Sequence, residues 1–340
     1  RGILKGATRS GKTRVMSVLA KYHQNKNVLI LVNSSDLMDQ VVGEVANHLQ
    51  EPVGTIRGWN GWHEQRITVA MVQTLYKYRY KPRFEELAGK TGVILYDEVQ
   101  SAASDSSRKV LEKITAQHRV GLSGTPLSRD EFRNLITIGL FEDIVQTVTS
   151  AELQKAGRIA TPHIFLRSIP SAEDEEILAH PPPCNIFKFR GDRDVLDNDK
   201  LNPHQVRSIL EKRNKMRLAY YQWAFLWGVE ENPYVKWAIR QDCEWYVKNK
   251  LPVWIPVDTK RHGLKLLNLL SDLDAVFLDR DDPVAVRTVE RKAFNNHQRA
   301  ILISTPIFNV GIDFPCVGAF IPAVGGMDVN NILQFLGRGQ

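Results

Sequence analysis

Gly6-Ala7-Thr8-Arg9-Ser10-Gly11-Lys12-Thr13 is the stretch on which the fold turns. Its two glycines let a short loop curl so that successive backbone N–H groups point inward at phosphate oxygens. Lys12 can reach β- and γ-phosphates, and the Thr13 hydroxyl can ligate Mg²⁺. Gly6, Thr8, Ser10 and Gly11 complete the cradle. The flanks suit it. Ile3-Leu4 gives a short strand, and Val15, Met16, Val18 and Leu19 open an amphipathic helix. The start of that helix adds partial positive charge at the phosphates. A nucleoside-triphosphate site follows, with Mg²⁺ as the expected ion.

Outward from this loop, residues 1–165 alternate strands and helices. Val28-Leu29-Ile30-Leu31-Val32 is a continuous apolar run, as a strand buried on both faces requires. Ile67–Val72, Val93–Tyr96 and Val120–Ser123 read the same way, with helices near 36–49 and 105–117 between them. Such alternation predicts an α/β fold whose parallel sheet binds ligands at the strands' carboxyl ends. Asp97-Glu98-Val99-Gln100 stands at one of those ends. An acidic pair there complements the lysine: Asp97 to hold Mg²⁺ through water, Glu98 to orient and deprotonate an attacking water.

Residues 168–205 break the rhythm with an acidic run, Glu173–Glu176, and Pro181-Pro182-Pro183. A helical region near 204–228 precedes a second α/β pattern, with strands at Val253–Val257, Ala275–Leu278, Ala300–Ile303 and Ala319–Ile321. We expect a first lobe over 1–165, a connector over 166–232 and a second lobe over 233–340.

The totals narrow the class. No apolar run approaches the roughly 18 residues that span a bilayer, and no secretory signal opens the sequence. Cys184, Cys243 and Cys316 are too scattered for a disulfide framework or zinc site, and the histidines lack metal-ligand spacing. A formal charge of +7 favours a polyanionic partner. We expect a cytoplasmic monomer, in a bacterial or phage-infected cell. The sequence starts almost inside the first strand and stops at Gly337-Arg338-Gly339-Gln340, as a trimmed fragment would.

Asp97-Glu98-Val99-Gln100 after the phosphate loop, followed by Ser123-Gly124-Thr125-Pro126, resembles motifs I to III of superfamily 2 helicases and translocases. Ser304-Thr305 through Gly311-Ile312-Asp313-Phe314-Pro315 resembles motif V, and Gln334-Phe335-Leu336-Gly337-Arg338 the start of motif VI. Asn33 and Ser34 lie in a stretch similar to motif Ia, and Gln73-Thr74 in the next strand-end motif. The blocks keep the family's order. Two departures stand out: Gln100 where the commonest subgroups have His, and Gly124 where Ala is usual.

The resemblance implies two RecA-like domains, each a mostly parallel sheet flanked by helices, with ATP in the cleft they form. Lys12, Thr13, Asp97, Glu98 and Gln100 would come from the first, and Gly311, Asp313, Gln334 and Arg338 from the second. Ser123 and Thr125 would couple hydrolysis to domain movement. Asn33, Ser34, Gln73, Thr74 and Thr305 would contact nucleic acid. Lys77-Tyr78-Arg79-Tyr80-Lys81-Pro82-Arg83-Phe84 interleaves cations with aromatics, so Lys77, Arg79 and Lys81 are further candidates for phosphate contacts. A solvated loop with its tyrosines packed on the lobe is the plain alternative.

Residues 139–162 look like the lobe exit of phage branch-migration helicases, and repair helicases and restriction-enzyme motors share that feature. The expected activity is ATP-driven remodelling of branched DNA (forks, displacement loops, Holliday junctions), moving 3′ to 5′. The alternatives are a restriction-type motor subunit, an RNA helicase, or a nucleic-acid-binding protein without hydrolysis.

Overall fold

The computed structural model describes residues 1–7, 10–128, 130–161, 163–169, 182–184, 192–196, 198, 201–308 and 314–325. The chain divides into two compact units, the first covering Arg1–His163 and the second beginning at Ile164.

In the first unit β1 (Gly2–Gly6) enters the phosphate loop and α1 (Lys12–Tyr22) leaves it. Next come β2 (Asn27–Val32), α2 (Ser35–Leu49), β3 (Val53–Ile56), β4 (Trp62–His63), β5 (Ile67–Met71), α3 (Val72–Tyr78) and α4 (Pro82–Lys90). Then follow β6 (Thr91–Asp97), α5 (Asp105–Lys113), β7 (His118–Ser123), α6 (Glu131–Phe141), β8 (Ile144–Val148) and α7 (Ser150–Lys155). The strands form one sheet in the order β4-β3-β5-β2-β6-β7-β1-β8. Every pairing is parallel except β3 with β4. Parallel neighbours end on the same edge, so Gly6, Val32, Met71, Asp97 and Ser123 all finish there. That edge is where the motif residues gather.

Both faces are covered. Met16 and Ala20 of α1 pack with Met38, Val41 and Val45 of α2 over Val28, Ile30 and Val32. Leu75 of α3, Phe84 and Leu87 of α4 and Val110 and Leu111 of α5 cover the other face. Alternate strand residues thus enter opposite cores, which is why these strands read as unbroken apolar runs. Helix starts follow side-chain chemistry: Ser34 accepts from Leu37 N–H, Ser104 from Ser107 N–H and Asp130 from Arg133 N–H.

The second unit contains α8 (Pro203–Phe225), running into a π-helical turn at Leu226–Glu230, and α9 (Pro233–Lys248). After these come β9 (Val253–Pro256), α10 (Lys260–Leu269), β10 (Ala275–Leu278), α11 (Val284–Asn295), β11 (Ile301–Ser304) and β12 (Ala319–Phe320). Its four-stranded sheet has the order β10-β11-β9-β12, all parallel.

Several expectations need adjusting. The helix expected to reach 117 ends at Lys113, because the extended Ile114 turns the chain toward β7. Val72 starts α3 rather than ending β5. The sheet also gains β3, β4 and β8, which the apolar runs do not announce. β8 is an edge strand with three exposed central residues. The helical region expected at 204–228 runs as α8 and groups with the second unit.

Candidate active site

The phosphate loop is shaped by its glycines. Gly11 has φ +79°, a left-handed conformation that costs a glycine little, and it is the N-cap of α1. A side chain on Gly6 would collide with Ser10 Oγ. With glycine as N-cap, α1 starts without a side-chain cap. Its first-turn N–H groups have no acceptor within the helix, so they are free to meet an anion. Thr8 lies outside the described residues.

Asp97 ends β6 and is only 6% exposed. Burial, and then the neighbouring Glu98, push its carboxyl up to about 7, while Lys12 pulls the other way. A buried carboxyl held so high is one that a bound cation would relieve. Together with the uncapped helix start, this fits a Mg²⁺–triphosphate held by Lys12, Thr13 and Asp97. Among the described residues no cluster of three or more His, Cys, Asp or Glu makes a separate metal site.

Glu98 sits at φ +55°, left-handed for a residue with a Cβ. Such backbone costs on the order of 1 kcal/mol and is held by its surroundings. The carbonyl accepts from Ser101 N–H at 3.0 Å and Ser101 Oγ at 2.9 Å. Its carboxylate is also held: Gln100 Nε2 donates to Oε2 at 2.9 Å. The Gln100 carbonyl oxygen accepts from Ser123 Oγ at 2.6 Å. Ser123, wholly buried, also lies 3.3 Å from Glu98 Oε2 and accepts from Thr125 N–H at 3.0 Å. A carboxamide at position 100 both donates and accepts, so Gln100 can bridge hydroxyl to carboxylate. Thr125 Oγ1, at the same strand edge, is buried without a hydrogen-bond partner among the described residues.

Asn33 and Gln73 also meet on this edge, with Gln73 Nε2 donating to the Asn33 carbonyl at 3.1 Å. Ser34 is spent capping α2, and Thr74 lies half-buried on α3. At the basic elbow the two arginines already have partners. The Arg79 guanidinium stacks on Tyr76 (4.0 Å) and Tyr80 (4.4 Å) and donates to the Tyr76 carbonyl at 2.6 Å. Arg83 donates to the Trp62 carbonyl at 2.6 Å, and Phe84 is core. Lys77 and Lys81 are exposed.

In the second unit Thr305 donates its N–H to Leu278 O at 3.2 Å and lines a recess with Asp258, Lys260, Asp279 and Asp281. Lys260 there is paired with Asp279 at 2.9 Å and Asp281 at 2.7 Å. Gly311, Asp313, Gln334 and Arg338 lie outside the described residues.

Sequence reasoning missed Ser101 and Tyr96. Serine and tyrosine carry no spacing signal, and only the fold brings them to Glu98 and Asn33.

Residues 1–128 match the family model described as type III restriction enzyme, res subunit. Over 99% of its length the chain is 23% identical to a DNA 3′-5′ translocase, XPB2, of Sulfurisphaera tokodaii, covering 74% of that protein. A protein of Sulfolobus islandicus filamentous virus is 22% identical, and the chain spans 57% of its length. Among solved structures, the Pyrococcus furiosus Hef helicase domain matches with TM-score 0.54 and 14% identity, covering 99% of this chain and 89% of that one. S. cerevisiae Dbp5 bound to RNA and ADP–BeF3 gives TM-score 0.57 at 13% identity, covering 99% and 75%. The chain therefore has the α/β architecture of helicase RecA-like domains and is similar in sequence to superfamily 2 helicases and translocases.

Proposed function

We propose that this protein is an ATP-driven DNA translocase that remodels branched DNA, tracking 3′ to 5′. One observation carries the reading. Glu98, beside the buried Asp97, has its carboxylate fixed by Gln100 and its backbone by Ser101, on the strand edge where the phosphate loop begins.

Bound Mg²⁺ would neutralise charge on the β- and γ-phosphates. The chain's own residues do the rest. The α1 amides and Lys12 hold the triphosphate, and Glu98 takes the proton of the attacking water as the bond from γ-phosphorus to the bridging oxygen breaks, leaving ADP and phosphate. Ser123 and Thr125, tied to Glu98 through Gln100, carry the change in that carboxylate to the segment between β7 and α6. Gly311, Asp313, Gln334 and Arg338 are assigned to the same nucleotide by resemblance. Asn33, Ser34, Gln73, Thr74, Lys77, Lys81 and Thr305 are assigned to the DNA strand.

The named activity of the archaeal relative supports both DNA and the direction of travel. ATP hydrolysis measured side by side with single-stranded DNA, duplex, a four-way junction and RNA tests the reading. Stimulation is expected to be largest with the junction and absent in Lys12→Ala. Turnover unchanged in Lys12→Ala would overturn the site, and stimulation by RNA alone would make this an RNA enzyme.

A further inference from the structure

Tyr96 is a tyrosine where phenylalanine would pack as well. Its ring is wholly buried in β6 and meets Phe141 edge-on at 5.8 Å. A phenol kept in such a place needs hydrogen-bond partners, and here it has a directed set. Tyr96 OH lies 2.9 Å from Ser107 Oγ, 3.1 Å from Ser101 Oγ and 3.5 Å from Asn33 Oδ1.

The hydrogens sort themselves. Ser101 Oγ donates to the Glu98 carbonyl at 2.9 Å, so it must accept from its other partners. Those partners are Asn33 Nδ2, at 2.7 Å, and Tyr96 OH, whose single hydrogen goes to Ser101 at 3.1 Å in preference to the 3.5 Å contact with Asn33 Oδ1. Ser104 Oγ donates to Ser107 Oγ at 2.8 Å, leaving Ser107 to donate to Tyr96. One chain of donors then runs Ser104, Ser107, Tyr96, Ser101 and the Glu98 carbonyl, with Asn33 joining at Ser101. Asn33 in turn receives Gln73 at its carbonyl.

We propose that Tyr96 and Ser101 are positioning residues through which occupation of Asn33 and Gln73 by the DNA strand sets the backbone of Glu98. Ser101 is the junction. It holds the left-handed Glu98 backbone with one bond and the Asn33 carboxamide with another. A phosphate that draws on the Asn33 N–H groups changes what Ser101 accepts, and Tyr96 keeps the hydroxyl aimed at Glu98. The link is separate from the Ser123–Gln100 contacts, which act on the carboxylate. The inference rests on the proposed ATPase and DNA-binding reading.

The test separates basal from DNA-stimulated turnover in purified full chains. Tyr96→Phe removes only the hydroxyl. It should keep basal hydrolysis and DNA affinity within about twofold of wild type and lower stimulated kcat about tenfold, with KM for ATP unmoved. Ser101→Ala, which also frees the Glu98 carbonyl, should lower basal hydrolysis somewhat and stimulated turnover several-fold more, and Ser101→Thr, which keeps a hydroxyl, should restore both. This serine pair carries the test if Tyr96→Phe fails to fold. Wild-type stimulation in both hydroxyl-less variants would overturn the proposal, as would an equal loss of basal and stimulated rates. A wild-type chain with no DNA-stimulated ATPase would instead sink the function proposed above.

Discussion

Two stretches of the first unit invite a functional reading with equal force: Asp97–Gln100 at the end of β6, and Lys77–Phe84 at the elbow joining α3 to α4. The fold treats them in opposite ways. At the strand end, hydrogen bonds fix the Glu98 carboxylate while leaving Asp97 a buried, protonation-prone acid. At the elbow, Arg79 and Arg83 spend their guanidinium groups on tyrosine and tryptophan rings and on backbone carbonyls. A dense motif is therefore no measure of what remains available to a ligand. The partners each side chain already has decide that.

The comparison breaks most sharply at Glu98. Glu98→Gln should still bind nucleotide yet lose about 10²–10⁴ in kcat, measured by steady-state hydrolysis; a variant that cycles normally would remove the strand end from the chemistry. The second effect is on stability. Between about pH 4 and 7 folded Asp97 keeps a proton that the unfolded chain releases. Its contribution is thus complete below about pH 4 and lost as pH rises through 7. Metal-free protein should melt at lower temperature at pH 8 than at pH 5, and Asp97→Asn should flatten that slope. Parallel melting curves for the two proteins would show that Asp97 titrates as an ordinary surface acid.

The elbow should respond in stability rather than turnover. Arg79→Ala loses two ring contacts and a hydrogen bond, and about 1–2 kcal/mol by thermal unfolding is expected. Lys77 and Lys81, changed together to Ala, should leave the melting temperature alone and reduce the salt slope of single-stranded DNA binding by about 1.4. If the arginine variant instead changes only the salt slope, the elbow is a binding surface after all.

The residues announced much of this where one physical signal dominated. Val28–Val32 and Val93–Tyr96 read as strands because burial on both faces demands apolar residues at every position. The carboxyl ends of those strands then located the acid pair and the phosphate loop on one edge. β8 stayed hidden because Ile144–Val148, at the sheet margin, exposes its centre to solvent. The left-handed turn at Glu98 has no glycine to advertise it; bonds from Ser101, three residues on, hold it. Likewise, that Arg79 is clasped by rings depends on how α3 meets α4, which no spacing along the chain encodes.

At the opposite side of the sheet from β1, strand β4 is two residues long and runs against its neighbour. A parallel sheet ending at β3 would offer a stranger's backbone four residues of open donors and acceptors. Folding Trp62-His63 back over that border, with the indole sunk at 2% exposure, shortens what remains. A border so shielded gives edge-to-edge pairing less to work on. Cutting the hairpin at Gly58–Gly61 would lay that border open to backbone pairing again.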